Sequence, residues 1–191
     1  MELSLPEINL SKLTQLEKAI YERESIRSFY SKEIELDKLS KLFWAAQGLK
    51  GYKRTVPSAG ATYPLEIYAI LKDKGVFNYN LKKHCLNLVI DKDVCKQIAR
   101  ASWHQSFICE PYLIIIICAD YERTASRYGS RAIRYVHIEV GHCAQNIHLM
   151  ATALGLGSVP IGAFNDKAIK NILELPKNLD PLYIIPIGYP K

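Results

Sequence analysis

The chain lacks any long hydrophobic run. Its longest, Leu113–Ala119 (LIIIICA), falls far short of the roughly 20 residues that a bilayer-spanning helix needs, which excludes a membrane span. The start, MELSLPEINLSKLTQ, has no basic segment leading into an apolar one, so it does not read as a signal peptide. The five cysteines (85, 95, 109, 118, 143) form no CxxC and no Cys/His pair at zinc-finger spacing, which removes a zinc module. They are expected to be reduced and partly buried, in keeping with a cytoplasmic protein. GxSxG, HExxH and the Gly-rich phosphate loop are all missing, and with them the common hydrolase, metalloprotease and nucleotide-triphosphate signatures. With 10 Gly and 9 Pro there is no low-complexity or collagen-like design.

What is present suits one globular domain, residues 1–191. The 49% apolar content argues against disorder, and a chain of this length can bury about 70% of its unfolded surface. The net charge of +6 comes from 25 Lys and Arg against 19 Asp and Glu. Those cations are scattered, with neither an arginine-rich arm nor an aromatic stacking motif. Most of them read as solvated surface, and a basic nucleic-acid-binding module has no support beyond the charge itself.

Periodicity predicts a helix over 11–22, capped by Ser11, with Leu13, Leu16 and Ile20 on one face. A second helix fits 35–46 with Leu36, Leu39, Leu42, Phe43 and Ala46 inward, ended by Gly48. Residues 48–64 then form a long loop of the kind that is usually functional. Strands at 66–71, 76–79 and 84–90 lie close enough to be antiparallel neighbours, and a helix fits 92–103 before the apolar strand 112–118. The longest helix spans about 130–154. Its face is Ile133, Val136, Val140, Ala144, Ile147, Ala151 and Leu154, and it should be largely buried. A strand or extended loop at 158–164, a short helix capped by Asn165 and a strand at 182–187 follow. Hairpins among helices, without regular βαβ alternation, give an α+β layer fold.

Four short segments could carry chemistry. Arg23-Glu24-Ser25-Ile26-Arg27 sets two guanidiniums around a hydroxyl, a donor set suited to a phosphate, although a surface ion pair would look the same. Pro57-Ser58-Ala59-Gly60-Ala61-Thr62-Tyr63-Pro64 strings together small residues that let backbone N–H groups approach a flat ligand, or simply make a turn. Val159-Pro160-Ile161-Gly162-Ala163-Phe164 offers backbone donors beside an apolar strand. Arg127-Tyr128-Gly129 opens the long helix with a cation and a phenol. Glu139 and His142, at i,i+3 on that helix, could share a metal. Two ligands without a second copy make no metal site, however, and they read as satisfied helix polar groups.

In order, RxSxR-F, PSAGATYP, RYGSRAIRYVHIEVGHCAQNIHLMATALGLGSVPIGAF and PLYIIPIGYP resemble the nitroreductase superfamily, and within it the SagB-type dehydrogenase branch, over residues 21–190. The resemblance implies a central, mostly antiparallel sheet flanked by helices, in a homodimer with a non-covalent FMN at the interface. Arg23, Ser25 and Arg27 would bind the ribityl phosphate. Pro57, Ser58, Ala59 and Gly60 would approach the flavin from the partner chain. Pro160, Ile161, Gly162 and Ala163 match the segment whose backbone N–H faces flavin N5, and Gln105 matches a polar residue near the pyrimidine side. Lys191 stands where many relatives continue into a basic tail; either it substitutes, or the N-terminal arginines carry the phosphate alone.

The implied activity is ping-pong hydride transfer, with NADH or NADPH as donor and a nitroaromatic, quinone or related small molecule as acceptor. One alternative is a SagB-type dehydrogenase that oxidises a peptide thiazoline or oxazoline to the azole. There the branch uses a Lys-Tyr pair, and this chain has Arg127-Tyr128, an always-charged group unsuited to act as a base. A non-catalytic flavin carrier is the further alternative.

Overall fold

The computed structural model describes residues 1–191. Helices α1 (Gln15–Glu22), α2 (Leu36–Gln47), α3 (Cys95–Ala101), α4 (Tyr121–Tyr128), α5 (Ala132–Ala153) and α6 (Asp166–Ile172) accompany nine strands. The strands are β1 (Phe29–Tyr30), β2 (Leu49–Lys50), β3 (Lys53–Arg54), β4 (Leu65–Leu71), β5 (Gly75–Asn80), β6 (Cys85–Ile90), β7 (Leu113–Ala119), β8 (Gly157–Ser158) and β9 (Asp180–Pro190). Seven of them form one antiparallel sheet in the order β1-β9-β7-β4-β5-β6, with β8 pairing on β9; β2 and β3 make a separate hairpin. The architecture is the α+β layer fold expected.

The run LIIIICA is continuous because β7 is central and covered on both faces. Leu113, Ile115, Ile117 and Ala119 point into a core shared with α2 and α5, while Ile114, Ile116 and Cys118 point into a second core with α3 and α6. Each buried branched side chain contributes about 1.5–3 kcal/mol, so this strand anchors both layers.

Several boundaries differ from expectation. Helix α1 begins after Thr14, not Ser11, because Thr14 and Glu17 form a reciprocal capping box, and Leu10–Lys12 is a separate 3-10 turn. Its apolar face is not buried either: Leu16 and Ile20 are exposed, as are Leu36 on α2 and Ile133 on α5. The expected 130–154 helix is preceded by α4, capped by Asp120 and ended at Gly129, whose φ of 54° suits glycine. Arg127 and Tyr128 therefore close α4 instead of opening the long helix.

Helix α5 is buried along one face, including Val136, Val140, Ala144, Ile147 and Ala151, and open along the other. It is half-covered where a largely buried helix was expected. The cysteines also depart from expectation. Cys95 and Cys109 form a disulfide, which joins the start of α3 to the 3-10 turn at Ser106–Cys109. Cys85, Cys118 and Cys143 are free. Spacing gave no hint of the bridge, because the chain doubles back between the two positions. Inference of a reducing compartment from five free thiols loses its basis.

Candidate functional site

The four segments gather into two groups. In the first, the chain leaving α1 runs beside β8: Ser25 bridges Ser158 in parallel, and the Ile26 N–H donates to the Ser158 carbonyl at 3.1 Å. A Cβ on Gly157 would stand 2.8 Å from that of Ile26, so this approach depends on glycine. Arg23 caps α1, and neither Arg23 nor Arg27 is in an ion pair with any acid of the chain.

Lys191 lies alongside, its N–H donating to the Ser28 carbonyl at 3.1 Å. Its ammonium, though, is drawn 3.2 Å to Glu110, which also accepts the Phe29 N–H at 2.9 Å. The backbone N–H donation, helped by Lys191, holds the Glu110 carboxyl below the usual carboxylate range. Lys191 is thus already paired.

Beyond β8 the same group continues through Pro160–Ala163. Ile161 is buried and exchanges both backbone hydrogen bonds with Ile184, at 2.8 and 3.0 Å, so its N–H is not free to face a ligand. That narrows the expectation: Gly162 and Ala163, both exposed, carry backbone N–H groups with no partner in the chain. Gln105 belongs here too, its amide donating to the Ser102 carbonyl at 2.9 Å and the Ala163 carbonyl at 3.3 Å.

Behind the group stands His148 of α5. Its Nδ1 is 2.6 Å from Ser158 Oγ, and its Nε2 is buried without a partner. Burial, reinforced by the Arg23 charge, pulls its pKa down to about 4, so the ring is neutral at physiological pH.

The second group assembles around Pro57–Gly60. Ser58 Oγ accepts the Tyr63 N–H at 2.9 Å, folding the loop on itself, and Gly60 takes a φ of 57°. Arg127 donates to the Gly60 carbonyl at 3.1 Å. A Cβ on Gly60 would stand 2.6 Å from the Tyr128 hydroxyl. The loop and the Arg-Tyr pair, far apart in sequence, are therefore one cluster.

Two residues that sequence reasoning did not place at the site join it. Arg54 of β3 stacks on the Tyr63 ring, 4.5 Å from its centroid, and bonds Gln47 at 2.8 Å. Glu139 lines a cavity of about 240 Å³ with Pro57, Ser58, Ala59, Tyr135, Ile138 and His142. The signal for Glu139 was a carboxylate set among Val136, Val140 and Cys143 on an otherwise apolar face. No hydrogen bond or ion pair within the chain joins the two groups.

Unpaired arginines, exposed backbone donors and a glycine-dependent loop are thus set on an α+β layer fold. The sequence profile of the Nitroreductase family matches residues 20–189, and the chain belongs to that family of oxidoreductases. A nitroreductase-family protein of Methanocaldococcus jannaschii is 44% identical over 98% of this chain and 96% of its own length. The NAD(P)H-dependent FMN reductase of Bacillus subtilis is 29% identical over 53% of this chain and 47% of its own. A nitroreductase-family crystal structure from Ralstonia eutropha superposes with a TM-score of 0.85 at 25% identity, covering 98% of this chain and 88% of that one.

Proposed function

We propose that the chain is an FMN-dependent oxidoreductase that passes a hydride from NADH or NADPH to a quinone, nitroaromatic or similar small acceptor. The observation that carries this reading is the pair of guanidiniums, Arg23 and Arg27, left without acidic partners around Ser25, whose segment pairs with Ser158 in the stretch that leads on to the free N–H groups of Gly162 and Ala163. A dianionic phosphate matches the first set, and a flat heteroaromatic edge matches the second. Those residues fit FMN, which when bound supplies the two-electron hydride chemistry.

Within this reading Arg23, Ser25 and Arg27 bind the phosphate, and Gln105 borders the pyrimidine edge. Gly162 and Ala163 orient the ring by backbone donation. Lys191, held by Glu110, braces the Ser28 segment that leads into β1 instead of reaching the phosphate. Pro57–Gly60 with Arg127 and Tyr128 comes from a second copy of the chain, which completes the site as a homodimer. Two features support that pairing. No hydrogen bond or ion pair joins the two groups within one chain. In addition, Leu16, Trp44 and Leu49 line an apolar groove of about 660 Å³ between α1, α2 and α5 that no part of the chain fills.

The Tyr128 hydroxyl against Gly60 also supports a second reading, oxidation of a peptide azoline. Arg127 disfavours it, because a guanidinium cannot readily take up a proton. Purified protein should be yellow, release FMN on denaturation, sediment as a dimer and oxidise NADPH when a quinone is present. Protein that stays colourless in excess FMN overturns the flavin reading, and aromatisation of an azoline peptide without NADPH turnover selects the second.

A further inference from the structure

Glu139 is an acid in a place that penalises its charge. It is 2% exposed, and its Oε1 is buried with no hydrogen-bond partner. It sits behind Ser58, whose oxygen is occupied as acceptor by Tyr63 while its proton remains free to donate. The cavity that it lines is shared with His142, an exposed residue one turn along α5. A buried carboxyl, a hydroxyl and an exposed imidazole thus line one cavity, the set of groups that a proton path needs.

We propose that Glu139 is the proton reservoir of this site, a positioning residue that acts on the acceptor through the Ser58 hydroxyl. The inference rests on the flavin reading above and adds what that reading leaves open. Reducing a quinone to the hydroquinone takes one hydride and one proton, and hydride transfer to the acceptor leaves it with one oxyanion to be protonated. The Ser58 O–H bond breaks as its proton passes to that oxyanion. The Glu139 O–H bond breaks as its proton restores the serine hydroxyl. Glu139 is left as the carboxylate and regains a proton from solvent by way of His142. No electrons move in this relay; the hydride donor supplies both.

The groups that face Glu139 are consistent with this role. Arg54 approaches from β3, Tyr135 and His142 share the cavity from α5, and Cys143 lies one turn on, a buried thiol pushed up by burial and by the Glu139 charge. Burial raises Glu139 to about 7, while the Ser58 hydroxyl and Arg54 pull the other way. The acid is then poised to give and regain a proton near neutrality.

Stopped-flow measurement of the two half-reactions tests the proposal: reduction of bound FMN by NADPH, then its reoxidation by benzoquinone. In wild-type protein the oxidative rate should fall as pH rises through about 7. Glu139→Gln, which keeps the shape, should slow the oxidative half-reaction at least tenfold more than the reductive one and abolish that pH break. Glu139→Asp should restore the break in part.

Infrared titration supplies a readout apart from turnover. The protonated-carboxyl band should vanish near neutrality in wild-type protein with no cofactor added, and be missing in Glu139→Gln. Protein that binds no FMN takes down the flavin reading and this inference with it. Protein that binds FMN, but whose Glu139→Gln variant keeps the wild-type pH break and rate ratio, removes this inference alone. Should the variant not fold, a wild-type protein without a carboxyl band titrating near neutrality overturns the proposal by itself.

Discussion

Arg127 donates a hydrogen bond to the backbone carbonyl of Gly60 at 3.1 Å, across 67 residues of sequence. This contact ties the end of α4 to the small-residue loop. With the Tyr128 hydroxyl on the same glycine, it leaves that position no room for a side chain.

Replacing Gly60 with Ala should therefore destabilise the protein by about 1–2 kcal/mol through left-handed backbone strain alone, before any clash with Tyr128. Urea denaturation measures the loss. An unchanged midpoint would mean that the loop relaxes freely and that the contact with Arg127 and Tyr128 does not hold it.

Arg23→Ala and Arg27→Ala should each weaken FMN binding by about 1.5–3 kcal/mol for every charged hydrogen bond lost. Quenching of flavin fluorescence on titration reads the affinity directly. Lys191→Ala should change it far less, since that ammonium is engaged by Glu110. The reverse ranking would place the phosphate at the C-terminal lysine.

The Cys95–Cys109 bridge spans a sequence separation of 14, and closing a loop of that size contributes about 3 kcal/mol by restricting the unfolded chain. Thiol titration of the unfolded protein should count three free cysteines before reduction and five after. Reduction should lower the melting temperature. Cys95→Ser should start from the lower value and not respond to reductant.

Stability against pH holds two opposed contributions from α5. His148 has a folded pKa near 4 against an ordinary 6.5, so between those values the unfolded chain binds the extra proton. That part of the stability is complete above about 6.5 and is lost as pH falls toward 4, on the order of 3 kcal/mol in all. Glu139 runs the other way. Raised from 4.5 to about 7, it binds its proton more tightly in the folded state, and its contribution is lost as pH rises through that window. Stability of the wild type should thus vary weakly between about 4.5 and 6.5. Glu139→Gln should rise with pH there, and His148→Gln should fall. Parallel curves for the three proteins, from denaturant unfolding at several pH values, would contradict both assignments.

The sheet was legible because its strands announce themselves. β4, β5, β6 and β7 appear within a residue or two of expectation, carried by β-branched runs broken by turn residues. The helices were less so. Leu16 and Ile20 have the periodicity of a buried face, yet they lie exposed, because periodicity records that a face is apolar and not what covers it. At the site, motif order named the segments, and geometry then sorted them. Ile161 spends its N–H on Ile184, whereas Gly162 and Ala163 do not. Lys191 is engaged by an acid 81 positions away, which no local pattern encodes. Glu139 was read as a satisfied helix polar group, yet its Oε1 is buried without a partner, because the elements that enclose it, Ser58 among them, come from a distant loop. The disulfide was hidden for the same reason.

Helix α5 carries Glu139 behind the loop group and His148 behind the arginine group, nine residues apart on one unbroken rod. At 1.5 Å per residue the two stand about 13.5 Å apart along its axis. The helix is thus a ruler between the two groups. A proline in its middle would shift both at once, so cofactor binding and proton delivery should fail together while the sheet beneath keeps its register.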